Sequence, residues 1–125
     1  MILGFKSQFK HKILSGEKLH TIRADELNRW KAGKIIQFAT GLRTANYEQF
    51  ALGRCTRVSE IIINPENERV YIGHGSGIVY RGQGVQAFAK NDGFDSLEDF
   101  WKWFNKPFEG KLIFWQLFAN GRDEG

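Results

Sequence analysis

The sequence predicts an α+β domain built on a small curved or closed, mainly antiparallel sheet, a β-barrel with about two flanking α-helices. Three observations carry that expectation. About six apolar or alternating stretches are separated by turn chemistry, one helical pattern lies near each end of the chain, and there is no βαβ alternation of the kind that builds a parallel sheet. A single domain is expected over 1–119, because 125 residues with 42% hydrophobic and 14% aromatic content are enough for one real core. Residues 120–125 are expected as a loose tail. No internal repeat, low-complexity tract or linker divides the chain.

In order, Met1 to Phe5 is a short apolar start suited to a strand. Ser7 offers an N-cap, and Phe9, Ile13 and Leu14 fall at helical spacing with Lys10, His11 and Lys12 on the outer face. Gly16 should end that helix in the left-handed region. After a polar segment from Ala24 to Arg29, Trp30 and Gly33 lead into a strand from Lys34 to Thr40. Gly41 to Gln49 reads as a connection. Phe50 to Ile63 is too long and too irregular for a flat strand, since Arg54 and Arg57 would lie on opposite faces, so a bend or bulge is expected near Gly53. Asn64-Pro65-Glu66-Asn67 is a turn, followed by a short strand around Val70 to Ile72.

Gly73 to Gly84 has five glycines among His74, Ser76, Tyr80, Arg81 and Gln83. It lacks the terminal Gly-Lys-Ser/Thr of a phosphate loop and shows no sign of a following helix, so it reads as a mobile hairpin or lid beside the cleft. Val85 to Ala89 continues as an apolar strip into Lys90-Asn91-Asp92-Gly93-Phe94. Asp95 and Glu98 then have capping-box spacing, and Leu97, Phe100, Trp101 and Phe104 follow i, i+3, i+4, i+7. That stripe has the period of a buried face, whereas Trp103 lies off it and is the better candidate for a surface role. Pro107 ends the helix. Leu112 to Phe118 is an unbroken apolar run typical of a strand covered on both sides.

Composition excludes several functions. A formal net charge of +4 leaves an anionic partner open, but 14 acidic residues dilute 18 basic ones. Lys6, Lys10, Lys12, Arg43, Arg54, Arg57 and Arg81 are the candidates for an electropositive rim. Cys55 is the single cysteine, which rules out an intrachain disulfide and a zinc quartet of cysteines and fits a reducing compartment; it reads as a small buried residue. His11, His20 and His74 lack the i, i+4 spacing of a helical zinc motif, so neither a metal nor a cofactor is expected. No signal-peptide pattern and no apolar run of membrane-spanning length is seen, so a cytoplasmic protein without a membrane partner is expected.

The densest chemistry lies in Gly16-Glu17-Lys18-Leu19-His20-Thr21-Ile22-Arg23, between the first helix and a strand. In an ideal strand Lys18 and Thr21 point to opposite faces, so a shared site requires an irregular backbone in this stretch, for which Gly16 supplies the freedom. A threonine hydroxyl becomes a nucleophile only when a base takes its proton, and an amine serves only if burial or a nearby cation lowers its pKa. Arg23 is placed to supply that cation. His20 is a candidate substrate donor, or the acid/base of a ribonuclease. His74, Tyr80 and Arg81 are candidates for substrate or RNA contact from the glycine-rich segment.

Ile13-Leu14-Ser15-Gly16-Glu17-Lys18 followed by Thr21-Ile22-Arg23, then Trp30-Lys31-Ala32-Gly33, Asp92-Gly93-Phe94 with Leu97 to Phe104, and a strand holding Phe114-Trp115 resemble the ASCH domain of the PUA-like superfamily. The likeness spans nearly the whole chain, and its most specific part is Ser-Gly-Glu-Lys…Thr-Ile-Arg. It implies a PUA-like barrel with a cleft for RNA or a modified nucleoside. It also implies one of three activities: RNA binding, ribonuclease action, or, as in one small bacterial branch, N(4)-acetylcytidine amidohydrolysis by a lysine, a threonine and a glutamate. Lys18 and Thr21 match the first two of those positions. Asp92 falls where the acid before the Gly-Phe turn is expected but is one methylene shorter than Glu, and the Gly73 to Gly84 insertion departs from that branch.

Ionised beside Lys18, Asp92 would stabilise the ammonium and suppress its function as a base. The set is coherent as catalytic machinery if Asp92 carries the proton to the leaving amine. Two classes therefore stay open. One is a hydrolase that depends on Lys18 and Thr21 together, and the other is a binding module, in which the rim holds RNA and the same residues act as ligands without turnover; a purely structural role for the set is a Lys18–Asp92 ion pair tying loop to barrel, with Arg23 bonded to a carbonyl.

Overall fold

The computed structural model describes residues 1–73 and 77–119, so His74 and the tail from Asn120 lie outside the described residues. The chain is α+β. Seven strands form one mixed sheet: β1 (Ile2–Phe5), β2 (His20–Arg23), β3 (Ile35–Thr40), β4 (Glu48–Asn64), β5 (Arg69–Ile72), β6 (Ile78–Arg81) and β7 (Phe108–Leu117). Three helices accompany it, α1 (Lys10–Ser15), α2 (Gln83–Asn91) and α3 (Leu97–Trp103), with a 3-10 turn at Ser7–Phe9 leading into the first.

The long β4 organises the sheet. One of its edges pairs with β3 and then β5, and the other pairs with β7, which in turn carries β2. All these pairs are antiparallel, as is β5–β6, while β1 runs parallel to β3. The path β1–β3–β4–β7–β2 does not close by a ladder between its end strands. Instead a side chain spans the gap, Arg23 Nη2 donating to the Gly4 carbonyl at 2.7 Å. The closed form of the expected barrel is therefore absent, and the unpaired seam between β1 and β2 is where the candidate site lies.

The expected bend in the long strand is present, displaced towards its C-terminus. The β4–β7 register slips between Cys55 and Arg57, leaving Thr56 as the extra residue, and this lets arginines three apart break the strict alternation. Gly53 serves a different purpose: a Cβ there would sit 2.6 Å from the Gln116 carbonyl oxygen of β7. The segment 41–49 is a connection only as far as Tyr47, because β4 already begins at Glu48.

The helices show three differences from the sequence reading. Ser7 caps nothing with its side chain, although Gly16 ends α1 at φ 84° as expected. The cap of α3 is Ser96, whose Oγ accepts from the Asp99 amide at 3.1 Å, one residue beyond the expected Asp95. Asp95 is instead paired with Lys12. Val85 to Ala89, expected as an apolar strip with no helix after the glycines, is the buried face of α2, with Val85, Phe88 and Ala89 at i, i+3, i+4. Gly82 at φ 56° turns the chain out of β6 and into that helix. β5 and β6 form the expected hairpin.

The core fills the space between sheet and helices, with Ile36, Phe38, Ile63, Val70, Ile113 and Phe100 inaccessible to solvent and Ile61 nearly so. On β7 only Leu112 and Ile113 are fully buried, so that strand is covered on both sides only at its middle. Cys55 is buried, as a small core residue. Among the described residues no helix is long and apolar enough to cross a membrane.

Candidate functional site

Lys18 is held before β2 begins, in the irregular backbone that the alternation argument requires. Its amide donates to the Lys12 carbonyl at 2.9 Å, and the Leu19 amide donates to the Asn91 carbonyl at 2.7 Å, tying the segment to the ends of α1 and α2. The aliphatic stem of Lys18 lies against Gly93, where φ is 96° and an added Cβ would meet the Lys18 Cδ at 2.9 Å. Only glycine satisfies both demands. The ammonium is almost completely buried, 4.8 Å from the centre of the Phe9 ring, and donates to the Asp92 carbonyl at 2.5 Å. The nearer Asp92 carboxylate oxygen is 3.5 Å away.

Burial is the largest influence on this amine and pushes its pKa down to about 8; the Arg23 guanidinium adds to the depression, and the Asp92 carboxylate opposes it. Desolvation therefore outweighs the counter-ion that would otherwise hold Lys18 as a fixed ammonium.

Thr21 and Arg23 leave β2 on the side of the seam. Arg23 Nε donates to Thr21 Oγ1 at 3.3 Å, and the guanidinium lies 4.7 Å over the centre of the Phe5 ring. Burial lowers the Arg23 pKa, against the attraction of Asp92. Lys18, Thr21, Arg23 and Asp92 line one cleft of about 240 Å³, whose remaining walls include Phe5, Phe9, Phe94, Trp103 and Phe104. Four of the residues singled out in the Gly16 to Arg23 stretch and the Asp-Gly-Phe turn thus converge between β1, β2 and the end of α2.

His20 leaves β2 on the opposite side. Its Nδ1 is 2.8 Å from Asp92 Oδ1, its ring stacks on Phe88 with centres 4.9 Å apart, and it borders a second cavity with Tyr80. Asp92 therefore stands between Lys18 in one cleft and His20 in the other. Arg81 is exposed on β6 and lines neither space. His74 lies outside the described residues.

The sequence reading missed the aromatic walls. Phe94 belongs to the Asp-Gly-Phe turn and Trp103 stands off the buried stripe, but nothing local to Phe5 or Phe9 announces a ring beneath Arg23 or Lys18. Among the described residues no cluster of three His, Cys, Asp or Glu side chains is suited to a metal ion. No protein-family model, curated protein or solved structure matches the chain.

Proposed function

We propose that this chain is an ASCH-type domain, a PUA-like barrel whose open seam is a hydrolytic cleft, and that it removes the acyl group from the exocyclic amine of an N(4)-acetylcytidine-like nucleoside. One observation carries the reading: the buried Lys18 amine is lowered to about 8 in an aromatic-walled cleft that also holds the Thr21 hydroxyl. A fixed structural ammonium has no use for that environment, since each depression of its pKa is a cost to the charged form.

In this mechanism the neutral Lys18 amine takes the Thr21 hydroxyl proton as Oγ1 bonds to the acyl carbon. The carbonyl electrons move onto oxygen, where N–H groups of Arg23 beyond those bound to Thr21 and Gly4 stabilise the negative charge. Collapse breaks the C–N bond, and the proton reaches the leaving amine along Lys18 and Asp92, 3.5 Å apart. Water then enters, gives its proton to Lys18 and cleaves the Thr21 ester, releasing the carboxylate and restoring the hydroxyl. The aromatic lining suits a heteroaromatic base better than an aliphatic amide, with Trp103 the ring that offers an exposed face.

The competing reading is a binding module for RNA or a modified nucleoside, and one observation favours it. Trp103 is 44% exposed at the cleft, with Lys6 4.9 Å over its ring, a stacking face and a cation that bind without chemistry. Mass spectrometry of N(4)-acetylcytidine incubated with wild type and with Thr21→Val separates the two. Deacetylation by wild type alone supports the hydrolase, and equal product from both refutes a threonine nucleophile. Saturable binding with no product from either leaves the module.

A further inference from the structure

The second cavity, on the far side of β2, has a volume of about 260 Å³ and is bordered by residues from β2, β4, β5, β6, α2 and β7. Its composition is specific. His20, Phe88 and Tyr80 form a column of stacked rings, with successive centres 4.9 and 5.5 Å apart, and Phe114 stands edge-on to His20 at 5.1 Å. The rim is apolar and wet at once: Leu19 and Ile78 are both exposed large side chains there. An exposed apolar margin around an aromatic-walled hollow is the usual form of a small-molecule site rather than of a packing defect.

One charge serves this cavity. Arg57, the residue just after the β4 bulge, lies with its guanidinium 4.0 Å over the centre of the Phe114 ring. Among the described residues it forms no ion pair, and no acidic side chain borders the cavity. A guanidinium seated over a ring has N–H groups free at its edge, which can receive the two oxygens of a phosphate or carboxylate. Apolar cavities of about 150 Å³ hold benzene, so a bicyclic ring fits the volume here.

We propose that this cavity is a second ligand site, for a flat aromatic ring carrying an anionic group, the ring lying against Tyr80, Phe88 and Phe114 and the anion meeting Arg57. It does not rest on the hydrolase reading. His20 gives it a consequence for the first cleft, because a ligand against this imidazole touches the group that holds Asp92 Oδ1, and Asp92 also faces Lys18. Occupancy of one space is thereby felt in the other.

Adenosine 5′-monophosphate, 2-naphthoate, adenosine and inorganic phosphate, titrated into isotope-labelled full-length protein and followed by amide and side-chain NMR, test the site. Adenosine monophosphate or naphthoate is expected to shift Tyr80, Gly84, Phe88 and Asn91 saturably, with adenosine and phosphate binding at least tenfold more weakly. A nucleotide preference assigns the anion as phosphate, and a naphthoate preference assigns it as carboxylate. Ala87→Trp, at an exposed α2 position on the rim, should abolish the shifts by filling the cavity, and Arg57→Gln should weaken the anionic ligands at least tenfold while leaving adenosine unchanged. Unchanged binding in Ala87→Trp, equal binding of adenosine and its monophosphate, or no response at these residues to either anionic ring would overturn the proposal.

Discussion

Replacing Lys18 by methionine keeps most of its length and removes its charge, so it isolates what the buried ammonium costs. The folded-state pKa is about 8 against an ordinary 10.5, and that gap is worth about 3 kcal/mol. Below pH 8 Lys18 is charged in both folded and unfolded chains, and the whole penalty of burying the charge is present. From about pH 8 to 10.5 the folded protein has given up the proton while the unfolded chain still holds it, so stability rises with pH. Above that window the penalty is gone. Lys18→Met has no such proton to lose. Urea unfolding of both proteins at pH 7, 8, 9 and 10 should therefore show wild type gaining about 2 kcal/mol on the variant across the series, a relative shift of about 1 M in midpoint. Taking the difference cancels tyrosine and cysteine titration, which both proteins share. A flat difference would mean that Lys18 titrates as an ordinary lysine, and a falling one would mean that Asp92 outweighs burial; either result refutes the case for a poised amine.

Further outcomes follow from the same geometry. Hydrolysis by wild type should rise with pH to a plateau above about 8, with the midpoint shifted down in Asp92→Asn, which removes an influence raising the Lys18 pKa, and up in Arg23→Gln, which removes one lowering it; pH–rate profiles read both. Thr21→Ala and Lys18→Met should each cut turnover by about 10³-fold or more, with the double variant little worse than either, whereas independent ligand roles would give additive losses in binding titrations. Asp92→Ala should cost about 1–3 kcal/mol in chemical denaturation, because it takes a shared partner from Lys18 and His20, and the loss is bounded because Lys18 can shed its proton. Gly93→Ala should cost about 1–3 kcal/mol, since it strains a φ of 96° and crowds the Lys18 stem.

The elements legible in the sequence were those whose signal is local. Gly16 needs only its own freedom to end α1, and the spacing of Leu97, Phe100 and Trp101 needs only the helix they share. The motif Lys18 to Arg23 was legible for a similar reason, because irregular backbone before a four-residue strand is enough to let its lysine and its threonine line one cleft. What could not be read was long-range. β1 pairs parallel with β3, a partner it meets only through the tertiary fold, and that pairing leaves the seam. α2 was hidden because Gly82 and Gly84 flank its start and their low helix propensity outweighed an apolar spacing of only three residues, Val85, Phe88 and Ala89. His20 was read as part of the cleft because it sits inside the motif, but strand alternation puts neighbours on opposite sides.

That alternation makes the pairing of β2 with β7 a functional constraint. With Thr21 opposite Ile113 and Ile22 opposite Leu112, one side of the strand shows Thr21 and Arg23 to the seam, and the other shows His20 to the aromatic cavity. A slip of one residue would exchange hydroxyl for imidazole and put an arginine where an isoleucine is buried, so sliding the strand cannot preserve either site. The Arg23–Gly4 bond across the open edge opposes such a slip from the side where no backbone ladder exists. Asp92 can reach both sides only because it stands at the end of α2, opposite the point where the chain enters β2, with its main-chain oxygen given to Lys18 and its carboxylate to His20. A residue in the strand itself would have had to choose one face. Placing the shared acid on a helix terminus lets two neighbouring residues of opposite orientation answer to the same carboxylate.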